Sequence, residues 1–153
     1  MSDEPLAFSP EQFSGLARMF PLPNLIMFPH VMQALHIFEP RYRALFEEAI
    51  EDDRLLALGS LAAGCEGDDQ GRPPLRPTAC LCRIATHQRN EDGSYNVLVL
   101  GVRRLRLLRE LPPKKLFRVM ESEILEDFEP ADAPPTAAAA LQQRLLAAFK
   151  QAM

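Results

Sequence analysis

Three lysines, three cysteines and seven glycines are a sparse supply for 153 residues, and each scarcity closes a route. No Gly-x4-Gly-Lys-Ser/Thr run occurs, so the backbone cradle that such a loop offers to nucleotide phosphates is missing. None of Lys114, Lys115 and Lys150 stands in a context resembling a Ser–Lys peptidase dyad. Cys65, Cys80 and Cys82 are odd in number and suggest no disulfide framework. No apolar run approaches the ~20 residues that span a bilayer. The opening "MSDEPLAFSPEQF" lacks the charged-then-apolar order of a secretory signal. These features predict a cytoplasmic protein with no membrane partner. Basic excess is also missing: the net charge of −4 and pI near 5.4 argue against a dedicated nucleic-acid binder, although a local basic patch is compatible with them.

The chain does have proline, 14 residues against 7 glycines, which marks stiff connectors and chain reversals. Its length fits one domain of the usual ~100–200 residues. Residues 1–17 read as a loose leader. "RMFPL" (18–22) reads as a short strand closed by Pro21 and Pro23, and "MQALHIF" (32–38) as a second. Strand alternation places Met32, Ala34, His36 and Phe38 on one face, with Val31, Leu35 and Ile37 on the other. A helix is predicted from Pro40, a residue suited to the first helical position because its missing N–H has no partner there. Tyr42, Leu45, Phe46, Ala49 and Ile50 form one apolar stripe along it. The helix's charges run against its macrodipole: Arg41 and Arg43 sit near the start, and Glu51, Asp52 and Asp53 crowd the end. Each misplaced charge costs about 0.3–1 kcal/mol at an exposed site, so tertiary partners are expected.

Further strands are predicted at 55–61, 78–90, 95–102, 103–111 and 115–127. A Gly/Pro/Asp-rich loop lies at 62–77, a hairpin turn at "EDGS" (91–94), and Gly101 marks a bulge or bend. Residues 128–135 read as a Pro-rich linker. Residues 136–153 read as a C-terminal helix whose Leu141, Leu145, Ala148 and Phe149 line one side. Closely spaced strands with short turns favour an antiparallel or mixed sheet that curls or closes, in an α+β, mainly β domain.

The stretch "FPLPNLIMFPHVMQALHIFEPRYRALFEEAI" (20–50) resembles the Lon N-terminal, substrate-binding domain family. Phe20-Pro21-Leu22 and Phe28-Pro29 resemble its paired Pro-Leu and Phe-Pro elements. The run from Leu35 through Ile37, Phe38, Glu39, Pro40, Arg41 and Tyr42 is similar to its central signature. "CLCRIATHQRNEDGSYNVLVLGVRRLRL", with Gly101 and Arg104, is similar to the later half. The resemblance covers residues 18–127. It implies a PUA-like, partly closed barrel followed by a helical portion. It also implies a role in recognising polypeptide substrates or docking to a protease partner, without the ATPase and peptidase domains and without a cofactor.

Apart from the resemblance, the prolines at 21, 23 and 29 make residues 24–30 an apolar loop. Its Leu25, Ile26, Met27 and Phe28 are either core plugs, the reading that residue type favours, or an exposed peptide-binding patch. Glu39 and Arg41 read as a structural pair, the acid near the positive helix end and the arginine bonded to a neighbouring loop. No second acid or nucleophile is tied to Glu39, so no catalytic residue is assigned. Cys80 and Cys82, two apart, face one side of a strand. With Cys65 and His87 they could be imagined around zinc, but the spacing suits buried thiols better, and no metal ligand is assigned. His30 and His36 read as structural or surface residues. In the basic run Arg103, Arg104, Arg106 and Arg109, Arg104 and Arg106 share a strand face. No interleaved aromatic offers base stacking. The function predicted is a non-enzymatic module that captures extended polypeptide in an apolar groove or at an open sheet edge. An adaptor role through the C-terminal helix and an RNA-binding role are the alternatives.

Overall fold

A computed structural model describes residues 8–22, 26–61 and 74–126, together with Arg144 and Ala147, which are helical. Six strands and one helix follow in the order β1 (Leu16–Pro21), β2 (Met32–Ile37), α1 (Pro40–Glu51), β3 (Leu55–Gly59), β4 (Thr78–Arg89), β5 (Tyr95–Glu110) and β6 (Arg118–Leu125). The strands lie in the order β2-β5-β4-β3-β1-β6, and β6 also pairs with β5. Strands β5, β4, β3, β1 and β6 therefore close into a ring, with β2 attached outside it. Only β1 and β3 run parallel; every other pairing is antiparallel. The fold is mainly β with a closed barrel and one early helix.

β5 makes this geometry possible. The sequence reading divided it at Gly101 into two strands, but it is one strand of 16 residues. Its first half pairs with β2 on one side and with β4 on the other. Its second half pairs with β4 and β6. The expected bulge is present, because Cys82 opposes Gly101 while Leu81 opposes Arg103, which leaves Val102 as the extra residue. A bulge bends a strand and increases its twist, so β5 leaves the barrel wall there and carries β2 with it.

Among the described residues two apolar clusters form the core. One holds Tyr42, Leu45, Phe46 and Ala49 of α1 against Leu56 and Leu58 of β3, Cys80, Cys82 and Ile84 of β4, and Leu35 and Ile37 of β2. The predicted stripe of α1 is its buried face. Leu45 and Phe46 are wholly buried, a contribution of about 1.5–3 kcal/mol each. The second cluster, with Met19, Leu55, Ala57, Leu81, Leu105 and Met120, lies on the opposite face of the same strands. β3 is buried on both faces, so its sequence is a continuous apolar run without alternation. Residues 8–15, expected as part of a loose leader, are not loose: Phe8 and Phe13 pack on this second cluster, and Pro10–Gln12 form a 3-10 turn.

The inverted charges of α1 are resolved by β1. Arg18, a buried residue of that strand, donates to Glu48 at 2.7 Å, to Asp53 at 2.7 Å, to Asp52 at 2.6 Å and to the Leu55 carbonyl at 2.9 Å. Burial alone would lower its pKa, but these acceptors more than reverse that and raise it. Lys115 also bonds Glu48, at 2.6 Å. Burial would raise the Glu48 carboxyl, yet Lys115 and Arg18 together hold it below its ordinary range. The acidic helix end is therefore one side of a network built around Arg18. At the opposite end of α1, Tyr42 stacks on Phe20 with ring centroids 4.1 Å apart, and the Arg41 guanidinium lies over Tyr42 at 4.7 Å.

Candidate functional site

Pro29 and a left-handed residue fix the loop before β2. Val31 N–H bonds the Phe28 carbonyl at 3.4 Å, with Pro29 second in the turn and His30 third at φ 69°. Proline second and positive φ third is the pattern of a type II turn, in which glycine normally fills the third place. The turn is fastened to β5: His30 N–H bonds the Gly101 carbonyl at 2.7 Å, and Gly101 N–H bonds the Val31 carbonyl at 2.9 Å. A Cβ on Gly101 would lie 2.2 Å from the Phe28 carbonyl oxygen. Glycine is needed there so that two backbones can touch.

The loop is thus held in place while presenting apolar side chains. Ile26 is 73% exposed and Phe28 57%, whereas Met27 turns inward and packs on the α1 cluster. The favoured expectation of core plugs holds for Met27 and fails for Ile26 and Phe28. The backbone ties to Gly101 fix the loop against β5, and alternation then aims its side chains both ways. Leu25 lies outside the described residues. Val31 and Met32 continue the exposed apolar surface onto β2.

Beyond the bulge, α1 covers only one face of the β2–β5–β4 extension. Phe46 of the helix meets His87 at 5.3 Å and Tyr95 at 4.5 Å between ring centroids. Among the described residues the other face is open. Register aligns Met32 with Leu100, Ala34 with Leu98 and Thr86, and His36 with Asn96 and Gln88. A depression of about 700 Å³ lies along the Ala34 and His36 rows. Phe38, also exposed, ends the track, with its ring 5.5 Å from that of His36. The expected face of Met32, Ala34, His36 and Phe38 is the exposed one, and Leu35 and Ile37 are buried. The contributions of Thr86, Gln88, Asn96 and Leu98 were not anticipated. The polar alternation in "THQRN" signals a half-exposed strand end, but only the register shows which strand it faces.

A polar cluster closes the far end of the depression at the predicted 91–94 turn, where Gly93 has φ 88°. The Ser94 hydroxyl donates to Asp92 at 2.6 Å, accepts from Asn90 Nδ2 at 3.0 Å and lies 3.2 Å from His36 Nε2. The Ser94 hydroxyl and backbone N–H together hold the exposed Asp92 carboxyl below its ordinary range. With the hydroxyl bonded to Asp92 and Asn90, the group pins the turn.

The remaining candidates fall into structural roles. Arg41 donates to Glu39 at 3.1 Å, so the two residues form a pair within the signature itself. Pro40 takes the first helical position, and Pro21 ends β1 opposite Gly59. Cys80 and Cys82 face the α1 cluster, both buried. Hydrogen bonding to the Cys80 thiol, together with burial, pushes the Cys82 thiol well above its ordinary range. His87 packs on Phe46, and Cys65 lies outside the described residues. Along the basic run, Arg104 and Arg106 share the exposed face. Acids on and just after β6 oppose the run: Glu121 meets Arg109 at 2.6 Å, Glu123 meets Arg106 at 3.4 Å and Glu126 approaches Arg103 at 3.9 Å. These cross-strand pairs neutralise much of the only basic stripe. The linker at 128–135 lies outside the described residues, as does nearly all of the 136–153 segment. Among the described residues no helix is long and apolar enough to cross a membrane.

The family model of the ATP-dependent protease La (LON) substrate-binding domain matches residues 17–153. Lon protease 1 of Bdellovibrio bacteriovorus is 26% identical over 114 residues, 74% of this chain but 14% of that protein. Lon protease of Anaeromyxobacter dehalogenans is 22% identical over 143 residues, 94% of this chain and 17% of the relative. The chain thus spans under a fifth of the length of these curated relatives. Two solved structures share the fold. A Lon N-terminal domain protein from Xanthomonas campestris has a TM-score of 0.63 at 21% identity, covering 86% of this chain and 73% of that one. The N-terminal domain of Mycobacterium avium complex Lon protease has a TM-score of 0.67 at 15% identity, covering 89% and 68%.

Proposed function

Because the chain belongs to the ATP-dependent protease La (LON) substrate-binding domain family, we propose that it is a recognition module, without chemistry of its own, that binds unfolded or extended polypeptide. The observation that carries this reading is the pair Ile26 and Phe28, held exposed on a fastened turn beside a sheet face whose Ala34 and His36 rows carry no formal charge. Folded proteins rarely leave large apolar side chains grouped in water unless they are covered by something else. Segments of an unfolded chain present the complementary apolar groups. Delivery of such segments to a protease partner is the cellular role this reading supports.

The experiment is a fluorescence-anisotropy titration with a labelled, permanently unfolded casein-like chain. Wild type is compared with Ile26→Ser/Phe28→Ser, which leaves the turn's backbone bonds intact. Buried side chains of this size contribute about 1.5–3 kcal/mol each on full burial. Allowing for burial that is only partial, the double variant should bind at least about tenfold more weakly, one factor of ten being 1.4 kcal/mol. Absence of wild-type binding up to high micromolar concentration, or equal binding by the double variant, overturns the proposal.

A further inference from the structure

We propose that the outer edge of β2 takes the bound polypeptide as an added strand, so that the module reads the backbone of an uncharged, extended segment rather than a particular sequence. This rests on the polypeptide-binding reading above and says how that binding is made. Among the described residues β2 pairs with β5 alone and stands at the end of the strand order. Its bonding direction follows from the loop: the Val31 carbonyl accepts from Gly101 of β5. In an antiparallel ladder the bonding direction alternates. Gln33, Leu35 and Ile37 therefore face β5, and the N–H and C=O groups of Met32, Ala34 and His36 point away from it. The Ala34 carbonyl confirms the direction, since the side-chain amide of Gln33 reaches round to bond it at 2.8 Å.

Natural edges are usually guarded by lysines, inward charges or prolines. β2 has none of these along Met32–Ile37; Pro29 and Pro40 only bound the stretch. Of the residues whose backbone faces outward, Ala34 and His36 also line the depression, so edge and depression form one continuous surface. Charge selects the occupant. No formally charged side chain projects from the rows Met32–Leu100, Ala34–Leu98–Thr86 and His36–Asn96–Gln88, apart from Arg83, which stands opposite Leu100. The nearby carboxylates are already engaged, Asp92 with Ser94 and Glu39 with Arg41. A charged side chain laid over the Ala34 and His36 rows would lose hydration without gaining an ionic partner, a desolvation cost that an uncharged side chain does not carry. The track from Met32 to Phe38 is about 20 Å at ~3.3 Å per residue, so a segment of some six residues fills it. Alternate side chains of that segment would lie over the depression.

The test uses three labelled decapeptides of alternating leucine and threonine: unmethylated, N-methylated at every leucine, and N-methylated at every threonine. The leucines fix which side faces the depression, so only one methylated set blocks the bonds to β2. Anisotropy should show one methylated peptide binding at least tenfold more weakly than the unmethylated one, with the other within about threefold. Ala34→Pro removes an outward N–H and no bond to β5, a substitution that edge strands tolerate. It should weaken the unmethylated peptide at least tenfold, with circular dichroism confirming the fold. If that variant does not fold, the methylated pair decides alone. Equal binding of all three peptides, or equal loss with both methylated ones, overturns strand addition and leaves capture by the apolar surface standing. If the unmethylated peptide does not bind, strand addition is overturned as well; if the unfolded casein-like chain also fails, the polypeptide reading falls with it. Occupation of the edge by a second copy of this chain would appear in sedimentation as a dimer that the peptide does not dissociate, and would equally overturn the proposal.

Discussion

Replacing Arg18 with methionine tests the claim that β1 and the acidic end of α1 are held together by one guanidinium. Methionine keeps most of the side chain's volume, so the change removes charge and donors rather than packing. Three carboxylates and a carbonyl lose a partner at once. They do not lose it equally. The side chain of Asp52 is 67% exposed and rehydrates, that of Glu48 is 35% exposed and keeps Lys115, and that of Asp53 is only 19% exposed. Removing one partner of a buried pair costs about 3–5 kcal/mol, because the other charge stays behind in a poor solvent. Here one acid of the three is trapped, so the lower end applies, about 3 kcal/mol. The acids also sit at the negative end of the helix dipole, which adds a few tenths of a kcal/mol per charge once Arg18 is gone. Urea unfolding followed by circular dichroism measures the loss. With a slope of about 2 kcal/mol per molar, in the range for small proteins, the midpoint should fall by about 1.5 M. Adding Asp53→Asn to Arg18→Met should restore part of the loss, whereas in the wild-type background it should destabilise. That opposition of sign is the coupling a double-mutant cycle reads. A midpoint shift below 0.3 M for Arg18→Met, or additive effects of the two changes, would refute the network.

Acid should act on the same cluster. Glu48 is held below its ordinary range in the fold, so its stabilising effect is complete above the ordinary glutamate range and is lost as pH falls through the lowered value. Urea midpoints measured as pH falls from the ordinary glutamate range downward should drop more steeply for wild type than for Arg18→Met, and parallel curves would contradict this. Arg54→Gly should raise stability by about 0.5–1 kcal/mol in the same assay, because Arg54 follows α1 at φ 64°, where a side chain is strained and glycine is not. Gly101→Ala should cost about 2–3 kcal/mol and weaken binding of the unfolded chain, since its Cβ would meet the Phe28 carbonyl and dislodge the turn. Unchanged stability would mean that the turn is not pressed against β5.

What could be read from residues was whatever local chemistry dictates. The α1 stripe, the 91–94 turn and the two faces of Met32–Ile37 follow from spacing alone and stand where spacing put them, whereas Val31, expected beside Leu35 and Ile37, is exposed next to the turn. Three features followed from long-range pairing and were out of reach. Arg18 looks like an ordinary strand residue until β1 lies beside the end of α1, more than thirty residues away in sequence. β5 reads as two strands because a glycine normally weakens a strand, and here that glycine is where the Phe28 backbone makes contact. The loop 26–31 reads as core by residue type, and only its backbone bonds to Gly101 decide which side chains turn out. Half of the candidate surface was therefore visible in β2 and half was hidden in β4 and β5.

The pairing of β6 back onto β5 has a consequence for how these molecules can clump. Closure through β5–β6 leaves the β2–β5–β4 extension with a margin on each side, the outer edge of β2 and the end of β4 beyond Ile84. Among the described residues the two margins differ, since β2 carries no charge whereas the β4 margin ends in Arg89. Joining through β2 alone would stop at a pair, whereas a fibre requires a monomer that can be extended from both sides, and a charge on the second margin works against that.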